Sequence, residues 1–209
     1  MEQVMKKKRS HCRRKFGATW RTLGLAFLVG SAAVTLGCGG GNRPAPPATC
    51  DQPCKDGVVL RALRVGMRFA YNFAIQSKPV GMQDEMVPCI PSGNVHIVGD
   101  AQSNAMLGTS ELNLTYTFTD CVNPAPQNTT PERNYKLTMN GAVTENGTLA
   151  MGGPTTSLTL IGTGMGFSGT VYDPPVDYVE MDCEVKANQD GNNMTGMVCG
   201  RMAQGFSGF

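Results

Sequence analysis

Strict alternation of apolar and polar residues is the feature that most restricts the fold of this chain. From Leu112 to Thr119, Leu, Tyr and Phe residues alternate with Asn and Thr residues. A period of two places the apolar side chains on one face of a β-strand and the polar ones on the other. Shorter alternations begin near Val95 and Tyr135. The sequence therefore predicts an antiparallel sheet with one buried face.

Turn residues divide the rest of the chain into further short strands. The predicted strands lie near 95–101, 112–119, 135–140, 141–144, 148–151, 157–162, 167–172, 179–186 and 194–201. Asn146-Gly147 is a strong hairpin signal, and Asp190-Gly191-Asn192 is expected to form the last turn. This pattern predicts an antiparallel β-meander of about six to eight short strands, which can curve into a half-barrel.

One helix is predicted, over residues 56 to about 76. Its apolar residues recur three and four positions apart, as one face of a helix requires: Leu60, Leu63, Met67, Ala70, Tyr71 and Ala74. Asp56 is expected to cap the first turn, and Pro79 and Gly81 to end the helix. Because the apolar stripe needs a surface to pack against, we expect an α+β fold in which this N-terminal helix covers the meander.

A basic leader and an apolar run precede this domain. Residues 1–21 hold eight Lys or Arg residues and one acid, Glu2. The run from Thr22 to Gly37 has 16 residues, fewer than the roughly 20 that a membrane-spanning helix needs. A positive segment, a short apolar segment and small residues before a break are the pattern of an export signal. We therefore predict a signal peptide over residues 1–37.

The end of the apolar run resembles that of bacterial lipoprotein precursors. Gly37 stands just before the expected cut, and Cys38 stands at the position of the acylated cysteine. The resemblance implies that Cys38 carries a lipid that anchors the protein in the membrane. Residues 38–49, CGGGNRPAPPAT, then form a Gly/Pro-rich tether, and residues 50–209 form a single domain. The alternative is an ordinary signal peptide that leaves Cys38 as a free thiol.

Two further points concern export. Gly39, rather than Asp, follows the anchor cysteine, which by resemblance to sorted lipoproteins implies the outer membrane of a Gram-negative bacterium. Arg13-Arg14-Lys15-Phe16 is similar to the core of a twin-arginine signal, so the general and the twin-arginine export routes both stay open.

Removal of the leader reverses the sign of the net charge. The leader holds 8 of the 18 basic and 1 of the 16 acidic residues, so 10 basic and 15 acidic residues follow it. The resulting net charge of −5 leaves too little basic surface to neutralise phosphates, and no nucleic-acid partner is predicted.

Six cysteines follow the predicted anchor: Cys50, Cys54, Cys89, Cys121, Cys183 and Cys199. Disulfides are the default for cysteines in an oxidising compartment. The order of the strands favours three local pairs, Cys50–Cys54, Cys89–Cys121 and Cys183–Cys199, although other pairings are open. Zinc is the competing interpretation. It is disfavoured because paired CxxC motifs are missing from the sequence and His96 is the only histidine after the leader.

Other chemical groupings in the sequence have plainer interpretations. Gly166–Thr170 has Thr170 where a nucleophile elbow needs glycine. The acids of residues 173–184 are interpreted as a solvated strand face rather than a calcium site or an acid/base pair. A sulfur cluster suited to Cu(I) is set aside because its Cys199 is needed for a disulfide: Met194, Met197, Cys199 and Met202. No catalytic residue, cofactor or metal is predicted.

Three helix arginines remain, Arg61, Arg64 and Arg68. We interpret them as a solvated face, with contact to anionic lipid headgroups as the alternative. Together these features predict a membrane-anchored cell-envelope lipoprotein that is not an enzyme. Its expected role is to bind an envelope protein or a surface, or to be structural. The alternative is a carrier that shelters a lipid or another hydrophobic ligand in a cavity between sheet and helix.

Overall fold

A computed structural model describes residues 49–76, 80–125, 130–151 and 155–208. The predicted signal peptide, Cys38 and all of the tether but Thr49 lie outside these residues, as does Pro79. The described part contains one α-helix, one 3₁₀ turn (Pro131–Arg133) and nine strands. The elements are α1 (Gln52–Ala74), β1 (Gly81–Pro88), β2 (Asn94–Asn104), β3 (Thr109–Pro124), β4 (Tyr135–Ala150), β5 (Ser157–Val171), β6 (Val176–Asp190), β7 (Asn193–Val198), β8 (Arg201–Met202) and β9 (Phe206–Ser207).

The strands form an open antiparallel meander. They are ordered β1 to β8 across the sheet, each paired with the next, while β9 pairs with β7. The α+β prediction, a meander covered by one N-terminal helix, is confirmed. The alternation in β3 also behaves as predicted, because Leu112, Leu114, Tyr116 and Phe118 are all buried.

The sheet curves around α1. The helix contacts β1 at one edge of the sheet and β7 and β8 at the other. Eight strands laid flat would span roughly 34 Å, about three times the diameter of a helix, so a flat sheet would leave its edges uncovered. Because the helix is surrounded in this way, residues well outside its apolar stripe are buried, including Val58 and Ala62.

The helix begins earlier than predicted. Its N-cap is Asp51, whose side chain accepts a hydrogen bond from the backbone N–H of Cys54 at 3.1 Å. The predicted cap, Asp56, lies one turn inside the helix and is fully buried. The carboxyl groups of both residues suit a cap, so local sequence did not distinguish them. The helix ends at Ala74, slightly before the predicted end.

Two of the predicted strand divisions were wrong. β4 runs unbroken through Asn146-Gly147, and β5 runs unbroken through residues 163–166. Gly147 pairs with Leu112 on one side and Leu158 on the other, and a Cβ at this position would lie 2.2 Å from the carbonyl oxygen of Ser157. The glycine therefore permits a close approach between strands rather than a turn. β1 was not predicted, whereas the turn after Asp190 is present.

Three disulfides connect neighbouring segments. The pairs are Cys50–Cys54, Cys89–Cys121 and Cys183–Cys199, with Cα–Cα distances of 5.2, 5.4 and 4.5 Å. These are the local pairs that the strand order favours. The first lies at the start of α1, the second joins the end of β1 to β3, and the third joins β6 to the residue after β7.

Candidate functional site

The larger of two described pockets lies between the C-terminal half of α1 and three hairpin turns. In a meander every second turn lies at the same end of the strands, which brings the β2–β3, β4–β5 and β6–β7 turns together. The pocket has a volume of about 560 Å³, within the range of small-molecule sites. It is lined by Arg64, Arg68, Tyr71, Asn72, Gln76, Ser103, Asn104, Ala105, Gly108, Thr109, Ser110, Leu149, Ala150, Met151, Thr156, Gln189 and Asn192.

The three turns are hydrogen-bonded to one another. The N–H of Met151 donates to the carbonyl of Gly108 at 2.9 Å and joins the second turn to the first. The N–H of Gly191 donates to the carbonyl of Thr156 at 2.8 Å and joins the third turn to the second. The described residues of the rim are therefore connected to one another through their backbones.

A buried polar network lies beneath the pocket. Arg64 donates from Nη1 to Glu145 Oε1 at 2.9 Å and from Nε to Gln189 Oε1 at 2.7 Å. Tyr116 donates its hydroxyl to the other oxygen of Glu145 at 2.7 Å. The side chains of Arg64 and Glu145 are 4% and 1% exposed. Burial, followed by the neighbouring Glu145, raises the pKa of Tyr116 well above its ordinary value, so the phenol stays a hydrogen-bond donor.

Arg68 supplies the free charge of the pocket. It lies one helical turn after Arg64, is exposed, and forms no hydrogen bond or ion pair within the described part of the chain. Among the described residues, those that line the pocket include two arginines but no Asp or Glu. With Arg64 already balanced by Glu145, this described lining carries one uncompensated positive charge.

A second polar cluster connects the N-terminal half of α1 to the last strands. The carboxylate of Asp56 accepts bonds from Arg201 at 2.9 and 3.1 Å and from the Tyr178 hydroxyl at 2.7 Å. Arg201 also donates to Glu180 at 2.7 Å. Hydrogen bonding to Asp56 raises the pKa of Arg201, and burial, followed by the Asp56 bond, raises that of Tyr178. These partners satisfy one another, which favours a structural role.

The smaller pocket, of about 310 Å³, lies beside the first half of the helix and the C-terminal segment. Arg61 stacks over the ring of Phe206 at 4.2 Å from its centroid and donates to the carbonyl of Gly208 at 3.3 Å. Burial, then the charge of Arg133, lowers the pKa of Arg61. Glu132 also lines this pocket, so its charges are partly balanced within the chain.

The three helix arginines thus do not form the single solvated face predicted for them. Arg64 is buried, Arg61 packs on Phe206, and only Arg68 is exposed and free of partners. The sequence held a signal for this outcome. Arg64 lies four residues after Leu60, on the apolar stripe, and Glu145 lies two residues after buried Val143, in the inward phase of β4. Two opposite charges in buried phases predict a pair.

The predicted acidic face is divided by a bulge. Tyr178 and Cys183 are both buried although they lie five positions apart, which in a regular strand places them on opposite faces, and the β5–β6 register shifts between these positions. Glu180 therefore shares the inward phase of Tyr178 and bonds Arg201, whereas Asp182 and Glu184 are exposed on the other face. The prediction that all three share one face was wrong, because a bulge cannot be recognised from alternation alone.

His96 has a carboxylate partner on the exterior of the sheet. Its Nε2 lies 2.6 Å from Asp84 Oδ1, and the two side chains are 39% and 81% exposed. Neither residue lines either described pocket. Ser168 of the elbow-like segment lies within β5 and not at a strand-to-helix turn.

Sulfur and carboxylate groups do not converge on a metal site within the described residues, where no set of three or more His, Cys, Asp or Glu side chains could hold an ion. Cys199 is bonded to Cys183, Met194 is fully buried and Met202 is 65% exposed.

In the described ranges no helix is both long and apolar enough to cross a membrane. Comparisons with known protein families, curated proteins and solved structures gave no match to this chain.

Proposed function

We propose that this protein is a lipid-anchored protein of the cell envelope, attached to the outer membrane through Cys38, and that its folded domain is a non-enzymatic binding module. The basic leader, the short apolar run and the cysteine that follows support the anchor. Three disulfides in one domain suit an oxidising compartment outside the cytoplasm.

The pocket at the three turns is the observation that carries the binding role. It has the size of a ligand site, and its rim is held together by backbone hydrogen bonds. General acid–base and nucleophilic catalysis need a titratable group or an activated nucleophile in the site. The lining residues that the structure describes include no His, Cys, Asp or Glu, so this lining is better suited to holding a ligand than to transforming it.

The packing of the interior favours this role over that of a lipid carrier. A carrier needs an apolar cavity between helix and sheet. Residues on both sides of that interface are instead fully buried against each other, among them Leu60, Leu63 and Met67 of α1 and Leu114 and Leu160 of the sheet. Both described pockets contain charged and amide side chains. Delipidated protein is therefore expected not to bind a fluorescent fatty acid.

The anchor is tested by the intact mass of the protein extracted from membranes of a Gram-negative host. Wild type is expected to have the mass of residues 38–209 plus a diacylglyceryl and an acyl group. Cys38→Ala is expected to lose that modification, whereas Cys12→Ala, a cysteine of the removed leader, should leave it intact. An unmodified wild-type mass that begins at another residue would overturn the anchor.

A further inference from the structure

We propose that the pocket between α1 and the three turns binds an acidic sugar, a hydroxyl-rich ring that carries one carboxylate, with Arg68 as the residue that holds the anionic group. This inference rests on the proposed binding function and names the ligand class of the same site. The pocket, its connected rim and its uncompensated positive charge carry it together.

The charge of the lining selects an anion. Within the described residues Arg68 is exposed and without a partner, and none of those that line the pocket carries a carboxylate to compete for it. Arg64 uses Nε and Nη1 for Gln189 and Glu145, and its Nη2 takes part in neither bond. Because Glu145 balances the charge of Arg64, a single negative charge on the ligand is enough to neutralise the site.

Several of the remaining lining residues can form hydrogen bonds with the hydroxyl groups of a ligand. Asn72, Gln76, Asn104 and Asn192 contribute amides, each with a donor and an acceptor, and Thr109 contributes a hydroxyl. Such groups pair with a ligand that offers both donors and acceptors at many positions. A sugar does so, whereas an acyl chain would leave them unpaired at a cost in free energy.

Other anionic ligands fit the lining less well. A nucleotide base is usually held by stacking on an aromatic ring, but Tyr71 is the one aromatic residue among the described lining residues and is only 6% exposed. Inorganic phosphate carries more charge than one free arginine neutralises. Leu149 and Met151 add apolar surface that neither phosphate nor any other small inorganic ion would use, and that surface can contact the C–H groups of a sugar ring.

The test compares three probes on the purified protein: glucuronate, glucose as its uncharged counterpart, and inorganic phosphate. Binding is followed by amide chemical shifts and by titration calorimetry. Glucuronate is expected to shift resonances of the rim, such as those of Gly108 and Gly191, and to bind at least about tenfold more tightly than glucose, since a charge-assisted hydrogen bond is lost without the carboxylate.

Matched variants locate the charge. Arg68→Gln should weaken glucuronate binding by about tenfold or more. Lys136→Gln removes one exposed positive charge from the opposite end of β4 and should leave binding unchanged. Because neither side chain has a hydrogen-bond or ion-pair partner within the described residues, both variants should remain folded, which their disulfide-intact thermal unfolding would verify.

The outcomes separate the two levels of the proposal. Rim shifts produced equally by glucose, or preferentially by phosphate, would overturn the acidic sugar but retain a binding module. Equal weakening by the Arg68 and Lys136 variants would also overturn it, since the effect would then be one of net charge. If none of the three probes shifted any rim resonance, the binding module itself would lose its support, while the intact-mass result for Cys38 would stand independently.

Discussion

The hydroxyl of Tyr135 is a buried polar group whose removal should stabilise the protein. Tyr135 is 6% exposed, and its hydroxyl has no hydrogen-bond partner among the described residues. Such a group has given up its bonds to water without replacement. Tyr135→Phe is expected to raise the free energy of unfolding, measured in urea, by about 1 kcal/mol. The control is Tyr116→Phe, which removes a donor from buried Glu145 and should lower stability by about 2 kcal/mol. An equal loss in both variants would mean that the Tyr135 hydroxyl is bonded after all.

The dependence of folding stability on alkaline pH provides a second test of Tyr135→Phe. Burial raises the pKa of Tyr135 to about 12, against about 10 in the unfolded chain. Between these values the folded protein keeps a proton that the unfolded chain has lost, so this contribution to stability is complete below about pH 10 and is lost as the pH rises through about 12. Burial raises the pKa of Tyr116 and Tyr178 in the same direction. Stability should therefore fall above pH 10 in wild type and less steeply in Tyr135→Phe.

Single residues were harder to place from sequence than the elements that contain them. The apolar stripe of α1 predicted the helix and most of its buried residues, but Asp56 was interpreted as a cap and Arg64 as solvated. Both interpretations assume that only one face of a helix is covered. In this fold the sheet covers most of the circumference of the helix, so Asp56 and Arg64 are both buried and need partners on distant strands.

At the scale of elements, Gly147 is a position where a single methyl group should disrupt strand pairing. Its φ of 124° is one that L-residues rarely adopt, and an added Cβ would meet the backbone oxygen of Ser157 at 2.2 Å. Gly147→Ala is therefore expected to lower the free energy of unfolding by about 3 kcal/mol or more, because strain and a backbone clash act together. Urea unfolding followed by circular dichroism measures the effect.

Gly108 is the matched control for this substitution. It also has a positive φ, 64°, but a Cβ built there has no heavy atom within 4 Å. Gly108→Ala should thus show the conformational cost alone, about 1 kcal/mol. If the two variants lost the same stability, the close approach of β4 to β5 at Gly147 would not be the reason for the glycine.

The strands show which structural features can be predicted from the local sequence alone. β3 was predicted because its alternation is long and one-sided, and the turn after Asp190 because it separates two such segments. The Asn146-Gly147 signal failed because the same dipeptide serves a tight turn and a close contact between strands. The register at Leu112 and Leu158 decides between these two uses, and register is a long-range property that a local signal does not contain.

At the scale of the whole molecule, the candidate site follows from topology and curvature. A meander brings alternate turns to the same end of the strands, so the grouping of these turns was implicit in the prediction. The prediction did not include the degree of curvature, and curvature is what places Arg68 of the helix opposite three turns that are about 35 to 125 residues away in sequence. Strand twist and bulges set that curvature, and neither has a reliable signature in one sequence.

The cluster around Asp56 connects α1 to β6 and β8 and should be the clearest measure of how these elements depend on each other. Asp56 is fully buried on α1, and Arg201 on β8 is 38% exposed. Arg201→Met removes the positive partner and leaves the carboxylate buried, with neutral donors from Tyr178 and Gln52 remaining. We expect the free energy of unfolding to fall by about 3 kcal/mol, as for other buried charges that lose a partner.

The reason for that loss can be separated from a general loss of charge. Lys186→Met breaks an ion pair with Glu184 whose side chains are 51% and 47% exposed, and it should cost less than about 1 kcal/mol. Adding Asp56→Asn to Arg201→Met removes the uncompensated charge and should recover part of the stability. Urea unfolding of the four proteins measures both effects. If the double variant were no more stable than Arg201→Met alone, packing of the arginine side chain, and not charge compensation, would hold β8 against the helix.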